Sequence, residues 1–415
     1  MVDSAGNYFS YLSRFFDYFC RNLGLWSSYL YFILNLKNHS LLLIFVMAGM
    51  LGYFFLASPI LMDDGFHYEG FAESLAHGKL DFKLFYGFHG LSFFAVPIFW
   101  LTSSHNSIII ASIIFSLLSI PLAYFIGREY YQNKQAGIYF LVLFLLTPYP
   151  YTTMFRGFQE AALLFFILLI IYGSLNKKLW TPLAWAVGGI VKPFVLVLLP
   201  LFSKHLLGSS TPKLRVTFIL LAFLIGGAYL GASYYQTGHL VNNAAINSYQ
   251  GNFDTGNPPP LVESFAPSAK GFLRVAANLL LSFRKIMVSP LIMVLGVLAL
   301  LFNKNLRLRK EIILAIILNF ILVGSLTFSF SKYLLPMTAL FALTSISYLL
   351  KHRWLMWLGF VDSFFVFLPI WNYFGQSFWS NAYLYFLPLY LGASLFLYER
   401  LIAGKNKTGV VKKFE

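Results

Sequence analysis

Two adjacent carboxylates open the stretch Asp63-Asp64-Gly65-Phe66-His67-Tyr68-Glu69, and a third stands at the end of Phe155-Arg156-Gly157-Phe158-Gln159-Glu160, where an apolar run begins. A carboxylate at such a boundary caps a helix and complements its dipole. One carboxylate suffices for a cap, and two adjacent ones repel, so the Asp pair is also a candidate for a site, including one for a divalent cation. Glu160 carries the same two readings, because ionisable groups at membrane depth are costly and face a cavity or a partner. Cations accompany them. Lys192-Pro193 sits between two apolar runs, where an isolated ammonium marks a short re-entrant turn or snorkels outward. Lys332-Tyr333 precedes Leu334-Leu335-Pro336 at a helix start, where the dipole disfavours a cation without an anion, either a lipid headgroup or a ligand phosphate.

Histidine chemistry is less favoured. His67 and His77 lie on one predicted helix about 15 Å apart by rise, too far to share a metal. His89 has no His or Cys neighbour at ligand spacing and is expected to help its loop fold. Asp362, within a late apolar run, has a structural and a functional reading of equal standing. Asn257-Pro258-Pro259-Pro260 reads as a stiff spacer. No P-loop, dinucleotide-binding glycine pattern, zinc motif or serine nucleophile elbow is present.

The elements that must position these groups are membrane helices. Apolar residues are 59% of the 415 and charged residues only 11%, with a mean hydropathy of +0.71. Soluble domains carry roughly 25% charged residues, so lipid must be the main solvent. Apolar spans of crossing type fall at 40–57, 106–127, 136–149, 159–174, 180–191, 193–207, 214–234, 285–302, 311–330, 333–350, 354–371 and 382–398. An all-α integral membrane fold with about 12 transmembrane helices and helices lying on the outer interface follows. No internal repeat is visible.

The net charge of +15 follows insertion topology rather than nucleic acid. If 90–103 does not cross, most of the 30 Lys and Arg residues gather on one side, with Arg128, Lys177, Lys178, Lys304, Arg307, Arg309, Lys310, Lys351 and the tail among them. That side is expected to be cytosolic, with both termini. Asp63, Asp64, Glu69, Glu73, Asp81 and Glu160 then lie outside, with His67, His77, His89, Arg156, Lys192 and Lys332. From Tyr68 onward, Tyr68, Phe71, Ala72, Leu75 and Ala76 repeat at helical spacing, predicting an interfacial helix that ends near Gly78, with His67, Glu69, Glu73 and His77 facing away. Residues 1–39 form an amphipathic inner-leaflet segment, 40–234 a catalytic membrane module, 235–284 an outer loop, 285–398 the later helices and 399–415 a basic tail. The N-terminal segment is too long and polar for a cleavable leader. Cys20 stands alone, so no intrachain disulfide forms.

On these residues the chain resembles the GT-C superfamily of membrane glycosyltransferases, in particular the protein-mannosyltransferase and aminoarabinose-transferase group. The likeness is carried by Asp63-Asp64 opening a helix after the first span, a second helix from His89-Gly90-Leu91 to Trp100, Glu160 at the start of a later span, Lys192-Pro193, and Lys332 to Pro336. It departs at Phe66-His67, where a Tyr pair is usual, and at Gly87-Phe88-His89-Gly90, which replaces a common Lys-Pro-Pro. The resemblance implies inverting sugar transfer from a polyprenyl-phosphate donor to a lipid, glycan or protein acceptor outside the cytoplasm of a bacterial or archaeal cell. It implies Asp63 as base, Asp64 and Glu160 as orienting groups, and Arg156, Lys192, Lys332 and Tyr333 at the donor phosphate. His67, Tyr68 and His89 become substrate contacts. Two rival readings stand beside it. A transporter or flippase would place its charges near the midplane in matching halves, and an envelope polysaccharide polymerase or ligase would favour a basic outer loop.

Overall fold

The computed structural model describes residues 46, 48, 49, 64–83, 85, 87–103, 105–145, 157–207, 212–238, 240, 290–324, 334–362 and 389–397. Among these residues the only regular structure is helical. The elements are α1 (Asp64–Ala76), α2 (Gly90–Thr102), α3 (Ser107–Tyr131), α4 (Lys134–Leu145), α5 (Glu160–Leu175), α6 (Thr181–Val191), a 3-10 turn (Pro193–Leu198), α7 (Pro200–Leu207), α8 (Pro212–Thr237), α9 (Pro290–Phe302), α10 (Arg309–Gly324) and α11 (Leu335–Lys351). Residues 354–362 and 389–397 are also helical. Two compact units are present, Met1–Leu51 with Tyr390–Glu415, and Gly52–Leu389, which holds α1 to α11. In the smaller one Gly49 lies against the Tyr390 ring.

Helix appears at every predicted span that the described residues reach. Two helices, α3 and α8, are by themselves long and apolar enough to cross a bilayer; the 25 residues of α3 rise about 37 Å. Much of the α8 surface is apolar and exposed, with Leu220, Phe223 and Leu224 each more than 60% accessible. Water would penalise that surface at roughly 25 cal/mol per Å², and hydrocarbon does not. With the composition, this makes the chain an integral membrane protein. The 13 residues of α2 rise about 20 Å, and α4, α6 and α9 are of similar or shorter length. The span expected at 193–207 differs: Pro193 and Pro200 divide it into the 3-10 turn and α7, because neither proline can donate into a preceding helical turn.

Within the larger unit, α3 and α4 cross closely. A Cβ on Gly127 would lie 2.5 Å from the Ala136 carbonyl oxygen, and one on Gly137 2.7 Å from that of Tyr124. Arg307 binds the ends of two helices, donating from Nη1 to Glu129 O at 2.6 Å and from Nη2 to Leu175 O at 3.0 Å. Tyr130 Oη donates to Arg307 O at 2.7 Å. The C-termini of α3 and α5 therefore meet at one end of the bundle, near Arg128, Lys177 and Lys178. Their N-termini, Ser107 and Glu160, point to the opposite end. Asp362 proves structural: its carboxylate accepts from Leu291 N at 3.0 Å and caps the start of α9.

Candidate functional site

The first element of the site is α1. Asp64 is its first residue, as expected, and lies at the positive end of the helix dipole. The helix stops in a Schellman motif: Lys79 N donates to Ser74 O and Gly78 N to Leu75 O, both at 2.9 Å, with Gly78 at φ +77°. Tyr68, Phe71 and Ala72 are buried, the face that the periodicity predicts.

Glu69 corrects that reading. It does not face away but is 4% exposed, on the side of α1 that meets α3. Its carboxylate accepts from Ser107 Oγ at 2.7 Å, Ile108 N at 2.8 Å and Ser107 N at 3.3 Å. The residue preceding α3, Asn106, makes no side-chain cap bond. A carboxylate from another helix caps α3 instead, and its negative charge suits the helix N-terminus.

The second element is the loop at 87–89, which leads into α2. Side chains from two directions hold its backbone. From α8, Tyr229 Oη accepts from His89 N at 3.0 Å. The side chain of Gln236 fixes the loop further upstream, accepting from Phe82 N at 2.8 Å and donating to Leu80 O at 2.7 Å. From the residue before α5, Gln159 Nε2 donates to Phe88 O. Ser92 Oγ donates to Tyr68 O at 2.8 Å and ties α2 to α1. The start of α2 then abuts α6, so closely that a Cβ on Gly90 would lie 2.5 Å from Val191 N.

His89 and Tyr68 were expected to touch substrate, and the structure places both inside. His89 is fully buried. Its ring stacks on Phe71 at 4.3 Å and lies edge-on to Tyr68 and Phe85. Burial pushes its pKa down to about 4, so it is a neutral core residue at pH 7. Tyr68 is 8% exposed. Both position the loop, as the sequence reading without the family resemblance expects for His89. His67, also expected at the substrate, is half-buried on α1.

The third element joins Glu160 and Lys192. Glu160 is the first residue of α5 and Lys192 the break between α6 and the 3-10 turn. Pro193 follows Lys192 and disfavours helical geometry there, and the backbone is extended at φ −156°, ψ 136°. The Lys192 ammonium donates to Glu160 Oε1. The two side chains are 10% and 1% exposed. The chain breaks from helix at Lys192, and its side chain turns inward rather than outward. Roles assigned to the two residues separately meet in a single buried ion pair.

The structure thus gathers Asp64 and His67 on α1, the loop at 87–89, the start of α2, Glu160 and Lys192 at one end of the bundle, through the contacts Tyr68–His89, Gln159–Phe88, Gly90–Val191 and Glu160–Lys192. Asp63, Arg156, Lys332 and Tyr333 lie outside the described residues, as does the outer loop with Asn257 to Pro260. Among the described residues no group of three His, Cys, Asp or Glu side chains could hold a metal ion, so a cation at Asp63/Asp64 would need ligands beyond them. Sequence reasoning missed Gln159, Tyr229 and Gln236. An amide beside a buried carboxylate is a usable signal, since a buried amide needs partners. A tyrosine within a long apolar helix gives none.

No protein-family model matches the chain, and no curated protein does. The solved structures similar to it include three at 12% identity. ArnT from Cupriavidus metallidurans bound to undecaprenyl phosphate aligns over 75% of this chain and 60% of its own, with a TM-score of 0.49. The apo state of the same protein aligns over 74% and 59%, at 0.46. The oligosaccharyltransferase of Archaeoglobus fulgidus, in its apo form, aligns over 86% and 56%, at 0.43. The chain spans about 60% of the length of ArnT. These proteins are GT-C glycosyltransferases, the superfamily whose motif order the sequence resembles.

Proposed function

We propose that the chain is a GT-C-type glycosyltransferase of the cell envelope, with about a dozen membrane spans. It moves a hexose or pentose from a polyprenyl-phosphate donor to a lipid, glycan or protein acceptor on the extracytoplasmic face. The observation that carries this reading is the meeting of the α1 N-terminus, the α2 N-terminus and the Glu160–Lys192 pair at one end of an apolar bundle. Acidic groups and a phosphate-binding cation are needed together at such a boundary, and the motif order of the sequence supports the same assignment.

The acceptor hydroxyl attacks the anomeric carbon while Asp63 takes its proton. Asp64 orients that base or the acceptor from the first turn of α1. The anomeric carbon–oxygen bond breaks toward the lipid phosphate, a leaving group already charged, which needs cations rather than an acid. Arg156, Lys192, Lys332 and Tyr333 are the groups for it. A single displacement inverts the anomeric centre.

The test is incubation of the purified protein, reconstituted in sealed liposomes, with radiolabelled polyprenyl-phosphate sugars, scoring transfer, label release and movement of label between leaflets. Asp63→Asn is expected to abolish turnover while leaving membrane insertion intact. Turnover at the wild-type rate in that variant ends the assignment of Asp63, and translocation of label without bond cleavage replaces the transferase reading with a flippase.

A further inference from the structure

Lys192 is committed to a partner before any ligand arrives. Its ammonium donates to Glu160 Oε1, and both side chains are nearly sealed from solvent. Its backbone is extended before Pro193, out of helix. The N-terminus of α2 abuts Val191, one residue away, and adds positive potential beside the pair.

We infer that Glu160 is an internal counter-anion that occupies Lys192, so that Lys192 turns to a ligand phosphate only when the phosphate charge exceeds that of one carboxylate. This rests on the proposed reading that the ligand is a lipid-linked phosphate. Stripping a partner from a buried charge is normally prohibitive. Here the exchange is tolerable on both sides. Lys192 gains the phosphate, and Glu160 keeps the dipole of α5, whose first residue it is.

The consequence is selectivity by charge state. A polyprenyl-phosphate sugar is a phosphodiester with one negative charge and no advantage over Glu160. The departing polyprenyl phosphate is a monoester with about −1.5 to −2 charge at pH 7. As the anomeric carbon–oxygen bond breaks, its electron pair passes to the phosphate oxygen and the acceptor oxygen bonds to the carbon. Lys192 then shifts from Glu160 to the phosphate as the second charge develops. An interaction that strengthens only on the way to the transition state accelerates the step, whereas one already present in the donor complex does not. Glu160 is in this account a specificity-determining group acting through Lys192.

The test measures binding of farnesyl phosphate, a monoester, and farnesyl methyl phosphate, a diester, to the full chain in zwitterionic nanodiscs. The wild type should prefer the monoester by about tenfold or more. In Glu160→Gln, where no internal anion competes for Lys192, both ligands should tighten, the diester by about tenfold. Lys192→Gln should weaken the monoester and remove most of its preference over the diester. Glu160→Asp, which keeps the charge on a shorter side chain, should fall between the wild type and Glu160→Gln, and serves where the Gln variant does not purify as a single species. A diester affinity unchanged or weakened in a monodisperse Glu160→Gln or Glu160→Asp protein overturns the inference. A diester tightened by Glu160→Gln in a protein that transfers no sugar sinks the proposed function and leaves the counter-anion standing; sugar transfer without that tightening does the reverse.

Discussion

The Glu69 carboxylate and Ser107, 38 residues apart, meet through a 2.7 Å hydrogen bond from the Ser107 hydroxyl, and the same carboxylate accepts from Ile108 N at 2.8 Å. One side chain thus anchors α1 and caps α3. Glu69→Ala leaves the first N–H groups of α3 buried without an acceptor, at a cost of about 2–3 kcal/mol. Glu69→Gln retains one acceptor oxygen but turns an NH2 toward other donors, and should recover only part of that loss. Thermal unfolding in detergent checks both. An unchanged midpoint in Glu69→Ala would remove the cap from the account of how α1 is positioned.

The burial of His89 sets a pH dependence. Its folded pKa, about 4, lies below the ordinary histidine value of 6.5, so the unfolded chain binds the proton more readily. The penalty is absent above pH 6.5. It grows as pH falls toward 4 and levels off below that, reaching ~2 kcal/mol at pH 5. The Phe85 backbone offsets part of the burial and the nearby His67 adds to it. His89→Phe, which keeps a ring in the aromatic cluster, should flatten the fall in unfolding temperature between pH 7 and pH 5. Parallel wild-type and variant curves across that window would contradict it.

The contact between Gly90 and Val191 leaves no room for a side chain. A Cβ at position 90 would meet the Val191 backbone at 2.5 and 2.6 Å, and backbone cannot step aside as a flexible side chain can. Gly90→Ala must push the start of α2 away from α6 and from Lys192. The expected result is at least a tenfold loss of turnover, since small misplacements at a reacting centre cost that much or more, with the protein still folded. Hydrogen exchange should be faster at 87–92 and unchanged in α10. Wild-type turnover in Gly90→Ala would show that this approach does not matter to the site.

The helices were legible because they are long apolar runs, and local rules settled details within them. Gly78 ends α1 as its backbone freedom predicts, and Pro193 holds Lys192 out of helix. Partners chosen across the fold were not legible. Periodicity placed Glu69 on the solvent side because a carboxylate scores as polar, yet α3 needed an anion that Asn106 does not supply. The family resemblance made His89 a substrate contact, whereas four aromatic residues, Tyr68, Phe71, Phe82 and Phe85, surround it. Glu160 and Lys192 were each singled out as expensive charges in apolar surroundings; that each is the other's answer required the fold.

That pairing permits a test separating its structural from its chemical role. Glu160→Gln and Lys192→Gln each leave one buried charge without its partner, which typically costs 3–5 kcal/mol. The double reversal Glu160→Lys with Lys192→Glu restores an ion pair between the same positions, less the few tenths of a kcal/mol to about 1 kcal/mol by which a cation is disfavoured at the α5 N-terminus. Unfolding temperature should therefore recover most of its loss in the double variant. Sugar transfer should not, because the ammonium would lie at the head of α5 and a carboxylate would occupy the α6 break beside the α2 N-terminus, where the leaving phosphate needs a cation. Recovery of both stability and turnover by the reversed pair would make it a structural strut and remove Lys192 from the phosphate site.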